Sequence, residues 1–199
     1  MTDRGGPGAA LPAGVAVLER AIAYALGSLA LVTEPMLARP TPCAGWDLAA
    51  LLDHLDDSMA ALAEAAEHGR VPVGAPAVPY RDAAGVVPAL RDRAARLLGA
   101  WAGANRTGSV CVEDLPLTAP VIAGAGAIEV TVHGWDVAQA CGRPRPIPAD
   151  LADQLLDLSA LLVRPADRPG RFARPVPPPP GARPGDRLVA FLGRVPPAW

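Results

Sequence analysis

The chain has 199 residues, 51% hydrophobic and 19% charged, with a formal net charge of -2, the composition of a globular domain of ordinary size with no electrostatic pull toward nucleic acid. All 18 basic residues are arginine, which excludes mechanisms built on lysine, including Schiff-base chemistry and the lysines of phosphate loops and kinases. The three cysteines Cys43, Cys111 and Cys141 fit neither a disulfide framework nor a zinc ribbon, Met1 to Gly8 does not read as a signal peptide, and no apolar stretch reaches the length of about 20 residues that spans a bilayer. A soluble, cytoplasmic protein with no membrane partner is expected.

From Leu11 to Leu37 the apolar positions Val15, Leu18, Ile22, Leu26, Leu29 and Val32 recur at three- and four-residue steps, predicting a first amphipathic helix. The Pro40 and Pro42 segment interrupts it. Asp47 then stands at the N-cap of a second helix whose stripe is Leu48, Leu51, Leu52, Leu55, Met59 and Leu62, with Asp53, Asp56 and Asp57 turned the other way and Gly69 closing it. A loop over Val71 to Pro79 leads to a third helix from about Arg81 to Ala104, with regular helix expected to begin near Pro88, and Val110 to Leu117 reads as a short extended piece.

Pro120 to Cys141 is ambiguous by periodicity, because Ile128 to His133 alternates like a strand while Ile122, Glu129, His133, Asp136 and Ala140 fall on one side of a helix. We read a fourth helix. A fifth is predicted from Ala149 to Val163, then a stiff polyproline spacer from Arg174 to Pro180, and a last short helix from Arg187 to Gly193 capped by Asp186. The C-terminal helix would either cover the bundle as a lid or cap an apolar face.

The three histidines can be weighed singly. His68 sits in the last turn of the second helix, where the helix dipole favours an imidazole. His54 flanks an apolar stripe and points toward a bundle seam, either as a packed, hydrogen-bonded side chain or as a ligand. Glu129 and His133 lie one helical turn apart, so both reach a common point, as a surface pair or as ligands of one ion. Apolar Ile128, Val130, Val132 and Trp135 surround them, and a buried carboxylate in such company calls for a partner. Asp136 shares their face and would either orient a ligand through a hydrogen bond or lie at the surface. Cys43 and Cys141 read as small packed residues rather than nucleophiles, and Gly124-Ala125-Gly126 lacks the rest of a dinucleotide fingerprint.

Three blocks together are more specific than any of these spacings. Thr41-Pro42-Cys43-Ala44-Gly45-Trp46-Asp47 with Leu51-Leu52-Asp53-His54-Leu55, and Glu129-Val130-Thr131-Val132-His133-Gly134-Trp135-Asp136, resemble the mycothiol-dependent maleylpyruvate isomerase-like proteins of the DinB-like superfamily. Asp186-Arg187-Leu188-Val189-Ala190-Phe191-Leu192-Gly193-Arg194 is similar to the C-terminal block of a metal-binding subgroup. The resemblance implies an all-α fold, a DinB-like four-helix bundle over residues 11–145, followed over 146–199 by a short Pro-rich C-terminal extension with extra helices. It implies His54, Glu129 and His133 as ligands of a divalent metal, zinc first and nickel second, and mycothiol as cosubstrate. Leu55-Asp56-Asp57-Ser58 departs from the Gly-containing continuation of relatives, and the larger C-terminal domain of maleylpyruvate isomerase itself is expected to be absent.

The leading functional expectation is a thiol-dependent transferase or isomerase acting on a small electrophilic molecule through a metal-bound thiolate. A non-catalytic metal-binding module and a thiol-independent pathway isomerase or cyclase are the alternatives. The expected partners are a small-molecule substrate and a low-molecular-weight thiol, with homodimer formation left open.

Overall fold

The computed structural model describes residues 7–71, 82–103, 109–112, 115–168 and 172–197. Among them four long helices, α1 (Pro7–Leu29), α2 (Leu48–His68), α3 (Ala83–Gly103) and α4 (Ala119–Ala140), close a ring in which α1 packs on α4, α4 on α2, α2 on α3 and α3 on α1. Helices α5 (Ala149–Leu162) and α6 (Pro184–Phe191) follow, α5 lying against α4 and α6 against α5. The all-α DinB-like bundle expected from the sequence is the observed architecture.

The ends of these helices follow from side-chain chemistry. Asp47 accepts from the Ala50 amide at 2.9 Å, and Gly69 closes α2 at φ +65°, the left-handed conformation that a residue with no Cβ adopts at low cost. The first two amides of α2, those of Leu48 and Ala49, donate to the carbonyls of Arg39 and Leu37, so the preceding loop is bound to the helix start. At this same end of the bundle the Arg39 side chain donates through Nη1 to the Ala140 and Cys141 carbonyls at 3.5 and 3.2 Å, satisfying acceptors left free where α4 stops.

Several boundaries differ from the sequence reading. The first helix ends at Leu29 rather than Leu37: the Leu31 and Val32 amides turn to the carbonyls three residues back, those of Ser28 and Leu29, and Glu34–Met36 forms a separate 3-10 turn with Pro35 in its first turn, where no amide is needed. The third helix begins at Ala83 and runs through Pro88; the Glu34 carboxylate accepts from the Ala83 amide at 2.7 Å and Asp82 from Gly85 at 2.6 Å, and these caps offset the single backbone bond the proline forgoes. Arg81 and Ala104, like the loop read from 72 to 79, lie outside the described residues. The last helix starts at Pro184, not Arg187. Pro184 occupies its first turn, where proline is tolerated, and Asp186 is its third residue, accepting from the Arg183 amide at 3.4 Å in a capping-box arrangement.

The extended piece is a hairpin. β2 (Ser109–Val112) pairs antiparallel with β3 (Leu115–Thr118), Ser109 opposite Thr118, and the two-residue β1 (Arg70–Val71) joins β2 in parallel with Arg70 opposite Cys111. Asp56 does not face away from the core: it is buried at 1% exposure and held by Arg93, whose Nε and Nη2 donate to its two oxygens at 3.0 and 2.9 Å. The bidentate pair supplies what the apolar-stripe pattern omits.

Helix α4 is the centre of the molecule, with α1, α2 and α5 packed around it. Nearly its whole length is buried, including Val130, Thr131, Val132, His133, Trp135 and Asp136. One continuous core runs from Val17 and Leu18 through Leu51, Leu55, Met59 and Leu97 to Leu155, Leu188, Val189 and Leu192, so α6 packs its apolar face into the same core as the bundle. Close approach of α1 and α4 depends on Gly134, where a Cβ would stand 2.9 Å from the Ala25 Cα. Among the described residues no helix is long and apolar enough to cross a membrane.

Candidate metal site

Four pieces of chain meet along the stretch of α4 from its middle toward its C-terminal end. Helix α2 brings His54 and Ser58, α4 brings Glu129, His133 and Asp136, the loop before α2 brings Cys43 and Trp46, and the segment after α6 brings Arg194. The loop is shaped by its own hydrogen bonds: the Trp46 amide donates to the Cys43 carbonyl at 3.1 Å, the Thr41 amide to the Trp46 carbonyl at 3.2 Å, and Gly45 sits at φ +83° as the third residue of the turn. This turn sets Cys43 and Trp46 against the two histidines.

Glu129 is the hub. Its Oε1 lies 2.7 Å from His54 Nε2 and 3.1 Å from His133 Nε2, and accepts from Ser58 Oγ at 3.4 Å. The other ring nitrogen of His133, Nδ1, lies 3.1 Å from Asp136 Oδ2. Asp136 is fully buried, its second partner being Arg194, whose Nη2 donates to Oδ2 at 2.9 Å and whose Nε donates to Oδ1 at 3.4 Å. Cys43 Sγ donates to Asp136 Oδ2 at 3.2 Å, lies 3.8 Å from His133 Nδ1 and accepts from Arg194 Nη2 at 3.1 Å. The Trp46 ring lies 4.7 Å from His54 with the planes tilted by 56° and stacks at 6.2 Å on His133, and the two imidazoles meet edge to face at 5.0 Å.

Burial and charge act against each other here. Burial pushes the Glu129 carboxyl up, but hydrogen bonds from His133 and His54, with their charge, outweigh it and hold the group well below its ordinary 4.5. Burial pushes His133 down, yet its bonds to Asp136, Cys43 and Glu129 lift it well above 6.5. Asp136, raised by burial, is lowered further by the His133 bond and the Arg194 charge to below 3.8. Arg194, lowered by burial, is raised on balance above its ordinary value by Asp136 and Cys43. The result is an alternating line of charge, Glu129, His133, Asp136, Arg194, whose inner members are buried.

The donors fit a divalent ion. Two imidazole nitrogens and one carboxylate oxygen are the ligand set of an open zinc site, and the three ligand atoms lie within 4.8 Å of one another. Tetrahedral zinc ligands stand about 3.3 Å apart, so the donors need to separate by roughly a few tenths of an ångström. Asp136 at Nδ1 leaves His133 Nε2 directed at the cluster, the carboxylate-to-imidazole support that orients metal-binding histidines. The side chains of His54 and Glu129 are 36% and 30% exposed against 8% for His133, so solvent reaches the cluster past His54 and Glu129.

The structure therefore brings together His54, Glu129 and His133 and sets Asp136 behind them in the core, not at the surface. His68 lies at the end of α2, in its last turn, and Cys141 is buried where α4 ends. Cys43, Trp46, Ser58 and Arg194 are site residues that periodicity does not single out. Cys43 and Arg194 lie inside the first and last of the sequence blocks quoted above, but neither block has a spacing that tells which side chain turns inward.

Comparison with known proteins identifies the family. The sequence profile of the mycothiol maleylpyruvate isomerase N-terminal domain matches residues 18–138. Two uncharacterized proteins from strains of Mycobacterium tuberculosis are each 32% identical over 172 residues, covering 84% of this chain and 90% of the relative. A crystal structure of the mycothiol-dependent maleylpyruvate isomerase superposes with a TM-score of 0.58 at 17% identity, over 73% of this chain and 67% of that one. A histidine-to-alanine mutant of the same enzyme gives 0.57 at 16%, and at these identities the likeness is one of fold. The match over most of the bundle and the relatives at 32% identity establish that the chain belongs to the mycothiol maleylpyruvate isomerase N-terminal domain family.

Proposed function

We propose that the protein is a metal-dependent transferase or isomerase that acts on a small electrophilic molecule with a low-molecular-weight thiol, mycothiol, as cosubstrate. The observation that carries this reading is the convergence of His54, Glu129 and His133 on one point that solvent reaches. These three residues would hold the ion, zinc by donor type with nickel the second choice. A bound divalent cation supplies the positive charge that lowers the pKa of a thiol brought against it.

The chain's own residues do the rest. Asp136 fixes the ring of His133, so that Nε2 keeps one direction. Trp46 walls one side of the opening against His54, and its apolar face reduces the water that competes with a thiol there. Ser58 donates to Glu129 and keeps that carboxylate oxygen oriented. Family membership supports the thiol, and the open side supports turnover over a closed structural site.

Metal content of the purified protein, measured by mass spectrometry beside His54→Ala and His133→Ala, tests the site; near-stoichiometric metal in the parent, lost in both variants, is expected. Consumption of a test electrophile that requires both metal and added thiol then supports the enzyme. Metal without thiol-dependent turnover would favour a binding module or a thiol-independent isomerase, and no metal after reconstitution would overturn the reading.

A further inference from the structure

Arg194 reaches this site from a segment that is not part of the four-helix ring. The geometry points to a positioning role: Arg194 locks both oxygens of Asp136 and thereby holds the His133 ring, so that the segment after α6 is a working part of the metal site. The inference rests on the metal reading above and concerns a residue outside the ligand set.

Its delivery is built into the backbone. Helix α6 ends with the Gly193 amide donating to the Ala190 carbonyl at 3.1 Å and the Arg194 amide to Val189 at 2.8 Å, the paired bonds of a Schellman ending. Gly193 takes φ +84°, and a Cβ there would stand 2.6 Å from the Ala173 Cβ and 2.9 Å from its backbone, so the turn requires glycine. The motif reverses the chain and directs Arg194 into the interior, where its Nη1 donates to Leu192 at 3.0 Å and its remaining donors go to Asp136 and Cys43. Leu188, Val189 and Leu192, all buried, anchor the helix behind it.

The placement of the guanidinium is informative. Cys43, His133 and Asp136 have the composition of a second cation site, their ligand atoms clustered within 4.8 Å. Arg194 Nη2 already lies against two of them, 2.9 Å from Asp136 Oδ2 and 3.1 Å from Cys43 Sγ. A fixed cation that titrates beyond reach thus occupies the Nδ1 side of His133. It neutralises Asp136 and stops that carboxylate from rotating, leaving the Nε2 side for an exchangeable ion.

The test uses the full chain with Arg194→Met and Arg194→Lys, each checked for folding by circular dichroism. Zinc is titrated into the metal-free proteins, cobalt(II) is added as a spectroscopic substitute, and the downfield His133 Nδ1 proton is followed by NMR without metal. R194M is expected to lose about 10–100-fold in zinc affinity, to change the cobalt ligand-field spectrum and to lose the slowly exchanging ring proton. R194K, which offers a point charge in place of a fork, is expected to recover part of each. Zinc affinity of R194M within twofold of the parent, or retention of its ring-proton signal, overturns the proposal. A parent that binds no zinc overturns the metal reading instead, and the ring-proton comparison then still decides whether Arg194 holds His133.

Discussion

The three glycines at positions 124, 126 and 134 of α4 provide a graded test of how closely this helix is packed. An added Cβ at Gly124 would lie 3.6 Å from Leu158 Cδ1, an ordinary contact, whereas at Gly134 it would lie 2.9 Å from the Ala25 Cα and 3.1 Å from its Cβ. In a helix interior alanine is favoured over glycine by about 1 kcal/mol, so Gly124→Ala is expected to stabilise by about that amount. At Gly134 the same gain is opposed by an overpacking cost of about 1–3 kcal/mol, because the obstruction is backbone and only a displacement of α1 relieves it. The expected ΔΔG for Gly134→Ala is a loss of about 0–2 kcal/mol, placing it roughly 1–3 kcal/mol below Gly124→Ala. Gly126→Ala should fall between them, since its new methyl meets the tip of Leu62 at 2.6 Å and that side chain can turn. Urea unfolding of the three variants, with equal slopes as the check on two-state behaviour, measures the differences. Gly134→Ala as stable as Gly124→Ala would refute the argument that a close α1–α4 crossing beside His133 is why glycine occurs there.

Other outcomes follow from the buried charges and the caps. Arg93→Ala leaves Asp56, 1% exposed, as an unpaired buried carboxylate and should cost about 3–5 kcal/mol, more than Asp56→Ala, because Arg93 is 27% exposed and can reach water; equal losses in thermal unfolding would contradict this. Gly193→Ala forces a non-glycine residue into φ +84° against Ala173 and should destabilise by at least about 1–2 kcal/mol, with weaker zinc binding as the specific sign that Arg194 has moved. In the metal-free protein His133 is raised well above 6.5, so its stabilisation is complete below that pH and is lost as pH rises through the folded value. Glu129 and Asp136, held below 4.5 and 3.8, stabilise above those values and lose that as pH falls through their folded values. The melting temperature without metal should therefore fall on the alkaline side, and zinc should remove that fall because it takes the place of the His133 proton; a metal-free Tm that climbs from pH 6.5 to 9 would count against it. Zinc affinity should correspondingly weaken as pH is lowered, measurable by competition with a chelator.

How much of this was legible in the sequence differs from element to element. α2 could be read almost residue by residue, because Asp47 and Gly69 mark its ends and one face alone is buried. α4 could not, since it is enclosed by three helices and its apolar residues follow no face; burial on all sides erases the period that separates helix from strand. Glu129 and His133 stand out for the same reason, as polar residues among the apolar side chains of an enclosed segment. Asp56 and Arg93 were missed as a pair because a bidentate partner on another helix leaves no mark in local spacing. Arg194 was hidden for a stronger reason: its role depends on a chain reversal after α6 and on a contact with Cys43 at a separation of 151 residues.

That separation bears on how the molecule moves. Opening of α6 alone would release Leu188, Val189 and Leu192 and withdraw Arg194 from Asp136 while the four-helix ring stays closed. Sub-global openings of this size lie below global unfolding in free energy, and contacts spanning so much chain are the last to be closed in folding because the intervening loop entropy must be lost first. The integrity of the His133 environment is then set by the docking equilibrium of one short helix. Amide exchange in α6, compared with exchange in α2 and α4, would report how often the polar network is taken apart in an otherwise native protein.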